Sequence, residues 1–210
     1  MTRYAAIVAG GRSTRFGDRD KAVADLASVP MIRRVADRLA DATDRLVVNC
    51  RPDQRAAIEA ALDDYPNPVR YAEDPAPDEG PMAGIRTALR GVEAWGGPAA
   101  AAFVVACDMP FVDPAVVDAL FDRLRDHDAV VPRVDGEWFQ TTHAVYRAGP
   151  MADACDDALD RGEGKIIAPL FELDYVEVDA ADLTDAGGDA QTFENLNTRE
   201  EFAAAAESFE

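Results

Sequence analysis

Residues 6–23 read AIVAGGRSTRFGDRDKAV, and this stretch decides how the rest of the chain is read. A short apolar run, Tyr4 to Val8, is stopped by Gly10 and Gly11. Behind the glycines come Arg12, Arg15, Arg19 and Lys21. A hydrophobic core has no use for that order of residues, whereas a phosphate-binding loop does. Glycines let backbone approach a ligand closely, and consecutive loop amides form a concavity for anions. Arginine grips phosphate oxygens in a fork and lysine acts as a point charge. The spacing fits neither common nucleotide signature. GxGxxG is absent, and GEGKI at 162–166 places Ile166 where a magnesium-binding hydroxyl belongs and Leu159 where the first glycine belongs.

The loop stands out against its background. The 210 residues carry 21 Lys plus Arg against 40 Asp plus Glu, a net charge of −19 spread along the chain. A field of that sign repels nucleic acid and anionic membrane. It repels a triphosphate too, so a nucleotide site here must be locally basic or metal-assisted. Uniform acidity with few lysines points to a salt-rich cytoplasm and a halophilic origin, where charges are screened and carboxylates stay hydrated. Apolar residues make up 48% of the chain, enough for one sizeable core and a single domain over 1–210. No apolar run of spanning length occurs, and the opening MTRYAAIVAGG does not read as a signal peptide. Cys50, Cys107 and Cys155 are scattered, which favours a reducing cytoplasm over a zinc site.

Downstream, strand and helix patterns alternate. Strands are predicted at Leu46–Val48, Val69–Ala72 and Ala102–Cys107, with another beginning in DAVVPRV. Helices are predicted over Pro30–Leu39, over Gln54–Leu62, from Gly80-Pro81 onward, and after Asp113 as N-cap with Pro114 at the first helical position. This βα rhythm predicts a mostly parallel sheet with helices on both faces. Polar residues gather where strands end: Gly10 and Gly11, Asn49, Asp74, Asp108. In open α/β sheets ligands bind at the carboxyl ends of strands, so clusters far apart in sequence are expected to converge. Past residue 132 the rhythm changes. GEWFQTTHAVYRA reads as an antiparallel strand pair or as a strand with an approach loop, DYVEVD as a short strand, DAGGDAQTF as a loop, and the end as a helix capped by Thr198 with Glu201 three residues on.

Asp108, just past the strongest strand, is a natural Mg²⁺ ligand beside a phosphate loop; the competing use is a turn aspartate before Pro110. Asp74 and the Gly80-Pro81 turn with Gly84 are candidates for a base or ribose contact, and Asn49 for a base contact. Asn195 and Asn197 alternate along an extended segment and share a face, suited to metal shell, substrate or helix capping. His127 reads as a surface cap. His143 reads either as lining an acceptor side or as a structural hydrogen-bond donor.

In this order, VAGGRSTRFGDRDKAV, YAED, GPMAGI, ACDMPF, THAVY and NLNT resemble the molybdenum cofactor guanylyltransferases, within the wider MobA-like nucleotidyltransferases, over nearly the whole chain. The resemblance implies a Rossmann-like three-layer α/β/α sandwich of the nucleotide-diphospho-sugar transferase type. It implies a nucleotide-binding half at 1–131, an acceptor-binding half at 132–210, and Mg²⁺-dependent transfer of GMP from GTP to molybdopterin with release of pyrophosphate. Carried over by position, Val8, Ala9 and Gly10, with Gly11, hold the nucleotide through backbone. Lys21 and Arg15 neutralise phosphates, Asn49 and Asp74 contact the guanine nucleotide, and Asp108 holds Mg²⁺. His143, Asn195 and Asn197 fall on the acceptor side. Implied protein partners are molybdoenzyme apoproteins and other cofactor-biosynthesis proteins. Val8 for Leu and Phe16 for Met are the departures from the family pattern. Rival readings are a relative using cobinamide phosphate or 2-phospholactate as acceptor, one using CTP as donor, and a catalytically silent adaptor that binds nucleotide or cofactor.

Overall fold

The computed structural model describes residues 1–11, 20–76, 79–134, 136, 138–185 and 187–209. The chain opens with β1 (Arg3–Val8), a hairpin of two-residue strands β2 (Asp25–Leu26) and β3 (Val29–Pro30), and α1 (Met31–Leu39). Then β4 (Arg45–Cys50), α2 (Arg55–Ala61), β5 (Val69–Glu73), α3 (Pro81–Gly96), β6 (Ala101–Ala106) and α4 (Pro114–Leu124) alternate as predicted. The last third holds β7 (Ala129–Val134), β8 (Trp138–Phe139), β9 (His143–Arg147), α5 (Ala148–Asp160), β10 (Tyr175–Asp179), α6 (Ala180–Asp185) and α7 (Arg199–Glu207). Local chemistry explains the ends. Asp113 accepts from Ala115 N and Pro114 opens α4, while Thr198 and Glu201 close a reciprocal capping box on α7.

The sheet runs β10-β7-β9-β6-β1-β4-β5, with β8 paired to β7. All neighbours are parallel except where β9 lies between β6 and β7 and where β8 meets β7. Both faces of the sheet's middle are covered, so β1, β4 and β6 are apolar over most of their length. Along β1, Ala5 and Ile7 pack beneath α1, α2 and α4. Tyr4 and Ala6 pack beneath α3 and α5. A third cluster of Leu26, Met31, Phe111 and Leu196 with Ala205 binds the hairpin to α7. Among the described residues no helix is long and apolar enough to cross a membrane.

The topology places the ligand crevice. From β1 the chain moves outward through β4 to β5, then returns to β6 on the other flank of β1. That reversal is the switch point at which a crevice opens over the carboxyl ends of the strands. Because β9 is antiparallel to both its neighbours, β7 and β10 point the same way as β1, and their carboxyl ends face the same side.

Candidate active site

Register brings the strand-end residues together. Val8 of β1 lies opposite Asn49 of β4 and Ala106 of β6, and Asn49 lies opposite Ala72 of β5. Asn49 is fully buried. Its Oδ1 accepts from Gly10 N at 3.3 Å, and its Nδ2 donates to Asp74 Oδ1 at 2.6 Å and to Ala72 O at 3.3 Å. Burial pushes the Asp74 carboxyl above the usual range, and hydrogen bonds from Asn49 and Thr87 with the charges of Arg86 and Arg51 pull it partly back. The fit beneath this pair is tight. A Cβ on Gly84 would stand 2.9 Å from both Asn49 Oδ1 and Val8 Cγ1, so only glycine lets α3 approach so closely.

The second cluster lies across β1. Lys21, 5% exposed, donates from Nζ to Asp108 Oδ2 at 2.8 Å. Asp108 Oδ1 is buried without a hydrogen-bond partner among the described residues. An unpaired buried carboxylate oxygen is costly, and it is the donor that a divalent cation needs. Among the described residues no three acidic, imidazole or thiol groups gather as a metal cage. Mg²⁺ does not require one, since it commonly takes one or two carboxylates and completes its octahedron with water and substrate phosphates. Asp108 therefore fits a cation that arrives with a nucleotide.

The backbone of the glycine turn corrects one expectation. Ala9 N donates to Asn49 O at 3.0 Å and Gly10 N to the Asn49 side chain, so neither amide faces outward as part of an anion nest. Val8 O accepts from Cys107 N at 3.1 Å and Ala9 O from Gln54 Nε2 at 3.2 Å. These bonds rigidify the turn, and Gly11 lies exposed beyond them. Gly80, at φ +90°, precedes Pro81 at the first position of α3, and both are exposed. Arg12, Arg15 and Arg19 lie outside the described residues.

His143 is a second correction. It opens β9 opposite Val105, is wholly buried, and packs edge-on against Phe103 and Phe193, each at 4.9 Å between centroids. It therefore lines no acceptor surface. Its Nε2 meets Thr192 Oγ1 at 3.1 Å, and burial pushes the imidazole down to about 3, so it is neutral at ordinary pH. Asn195 and Asn197 are exposed on either side of buried Leu196, whose N donates to Asp108 O at 2.9 Å. The NLN segment is thus tied to the Asp108 turn. His127 meets Asp174 at the surface, 3.1 Å from Nδ1 to Oδ2.

The MobA-like NTP transferase domain family matches residues 5–176. The chain belongs to that family. A probable molybdenum cofactor guanylyltransferase from Natronomonas pharaonis is 48% identical over 205 residues, covering 98% of this chain and 97% of the relative. Another from Haloferax mediterranei is 39% identical, covering 96% and 92%. Among solved structures, the molybdopterin-guanine dinucleotide biosynthesis protein A of Archaeoglobus fulgidus superposes with a TM-score of 0.78 at 26% identity, covering 99% of this chain and 98% of its own.

In this MobA-like transferase the candidate site also includes residues that the sequence reading passed over. Arg51 and Gln54, just past β4, are buried and bonded to the glycine turn and to Asp20. Thr87 and Arg86 on α3 act on Asp74. The available signal was position: Arg51 follows a strand end two residues after Asn49, and Asp20 stands directly before Lys21.

Proposed function

We propose that this chain transfers GMP from GTP to the terminal phosphate of molybdopterin, releasing pyrophosphate and forming the guanine dinucleotide cofactor. The observation that carries the reading is the Lys21–Asp108 pair at the crevice, with one Asp108 oxygen buried and unpartnered. The relatives' names and near-complete coverage supply the donor base and the acceptor. In this reading residues 1–131 bind nucleotide and 132–210 bind acceptor. A cavity of about 450 Å³, lined by Val134, Asp179, Thr184 and Phe193 among others, opens at the carboxyl ends of β7 and β10 and suits the acceptor side.

A phosphate monoester oxygen is already anionic at neutral pH, so the attacking group needs no general base. It forms a bond to the α-phosphorus while the bond to the bridging oxygen of the β-phosphate breaks, and pyrophosphate leaves with that electron pair. Lys21 supplies positive charge to the phosphates, and the Asn49–Asp74 pair orients the nucleoside. Asp108 would hold Mg²⁺, which when bound offsets charge on the phosphate oxygens. The remaining work is alignment of two anions in a rigid, preorganised crevice.

Each α-labelled nucleoside triphosphate, incubated with Mg²⁺ and molybdopterin, tests the assignment. Label should pass from GTP to the pterin with stoichiometric pyrophosphate. Preferential transfer from CTP would replace the base, transfer only to cobinamide phosphate or 2-phospholactate would replace the acceptor, and nucleotide binding without any transfer would favour an adaptor.

A further inference from the structure

Arg51, just past β4 and bonded to the glycine turn, is a cation at the crevice with no donor left to offer. A guanidinium carries five N–H groups. Nη1 donates to Gly10 O at 3.1 Å and Gly11 O at 3.0 Å. Nη2 donates to Asp20 Oδ2 at 3.3 Å and to Asp53 Oδ2 at 3.4 Å, and Nε donates to Asp53 Oδ1 at 3.1 Å. The residue is 8% exposed. Gln54 completes the arrangement. Its Oε1 accepts from Arg51 N at 2.9 Å, while its Nε2 donates to Ala9 O at 3.2 Å and also to Asp20 Oδ2.

These bonds have a common geometry. One planar group grips the last two residues of the glycine turn and, at the far end of the same loop, the residue before Lys21. Asp20 then caps the turn Lys21–Val23 by accepting from Ala22 N at 3.0 Å. Fixing the ends of a loop removes the freedom that closing it would otherwise cost on every binding event.

We infer that Arg51, braced by Gln54, is a positioning residue that clamps the two ends of the phosphate loop and thereby holds Lys21 in its place against Asp108. The inference rests on the reading of this loop as the triphosphate site. The role follows from the fork. A lysine in its place has one nitrogen and cannot reach Gly10, Gly11, Asp20 and Asp53 together, so Lys should not substitute, although it keeps the charge.

Two measurements test it. In the nucleotide-free protein, Arg51→Met and Arg51→Lys should both speed amide exchange over residues 9–23 while the remaining peptides exchange as in the parent. No local change, or an equal change everywhere, overturns the clamp. The second is calorimetric binding of GTP with Mg²⁺, without acceptor. Arg51→Met should weaken binding on the order of tenfold, Arg51→Lys should fail to restore it, and the loss should largely vanish in a Lys21→Ala background, because residues acting through one another are non-additive. Full additivity, or rescue by Lys, would make Arg51 a direct phosphate ligand and refute the proposal. If the parent protein binds no GTP, the functional reading fails on its own, and the exchange measurement still decides the clamp.

Discussion

Replacing Gly10 by alanine tests the nucleotide crevice at its tightest point. Gly10 is not among the residues with positive φ, so alanine is conformationally allowed. On that ground alone the change would stabilise the protein by about 0.4–1 kcal/mol through the unfolded chain. Space decides otherwise. The new Cβ would lie 2.1 Å from Asp74 Oδ2 and 3.0 Å from Asn49 Oδ1. The carboxylate must retreat by roughly 1 Å to reach even a tight contact. Asp74 is held by Asn49 Nδ2 at 2.6 Å, and a retreat of that size lengthens the bond beyond useful range. A hydrogen bond to a charged group is worth about 1.5–3 kcal/mol, which exceeds the entropic gain. The melting temperature should therefore fall by several degrees. GTP affinity should fall about tenfold or more, because the side chains assigned to the nucleoside are both displaced, at 1.4 kcal/mol per decade. Differential scanning fluorimetry and calorimetric titration on one preparation read both quantities. Adding Asp74→Ala should relieve the clash and recover melting temperature without recovering affinity. An unchanged melting temperature refutes the steric argument, and lowered stability with parental GTP affinity refutes the role of the Asn49–Asp74 pair.

Three further outcomes are expected. Asp108→Asn should lose Mg²⁺-dependent pyrophosphate release and also cost about 2–4 kcal/mol in denaturant unfolding, because it leaves Lys21 buried without its counter-charge; adding Lys21→Met should recover much of the stability and none of the activity, and full additivity of the two changes would contradict the pairing. His143 takes up a proton near pH 6.5 when unfolded and near pH 3 when folded, so the unfolded state binds more protons between those values and stability drops as pH falls through them, by about 2–3 kcal/mol at pH 4.5. His143→Gln should remove that component, and parallel stability–pH curves for parent and variant would show that the imidazole is not held neutral. With a net charge of −19, melting temperature should climb between about 0.1 and 3 M KCl as repulsion is screened; a flat profile would exclude a halophilic adaptation.

The order of elements was legible because each βα step carries its own punctuation. The strands in the middle of the sheet are apolar over most of their length, and Gly10-Gly11, Gly80-Pro81 and Asp113-Pro114 mark element boundaries. The small hairpin was not legible, since each strand has two residues, and its turn places Ala27 and Ser28 at positive φ without a glycine to announce it. Nor was α6, six residues long, nearly all of which falls between the DYVEVD strand and the DAGGDAQTF loop in residues given no assignment. The antiparallel character of GEWFQTTHAVYRA was one of two readings. What no local pattern could reveal is that β9 inserts between β6 and β7 instead of extending an edge. That insertion is what buries His143. A histidine before an apolar strand is the same sequence whether its ring meets solvent or Phe103 and Phe193.

The site divides along the same physical line. As candidates, Asn49, Asp74 and Asp108 were legible because each is a polar group at a strand end, where the rule for parallel sheets puts a ligand, and Lys21 because it closes a basic stretch behind two glycines. The rule needs only strand direction, which the sequence supplies. The second tier was illegible because it is built from carbonyl directions. Arg51 looks like any arginine leaving a strand until Gly10 O, Gly11 O and Asp20 are seen to face it. The amides of Ala9 and Gly10 look free until β4 is seen to take them. The two facts belong together. A turn whose amides and carbonyls are committed to Asn49, Gln54 and Arg51 cannot reshape itself around a triphosphate. Its contribution is rigidity, and the attraction must come from side chains that keep valence to spare. In the described part of the crevice Lys21, with three donors and one acceptor bonded, and Asp108, with one oxygen unpaired, are two such side chains. In a chain this acidic, the proposed reaction would have a triphosphate and its cation drawn by that opposed pair, each able to exchange its partner for a substrate group without leaving a charge bare.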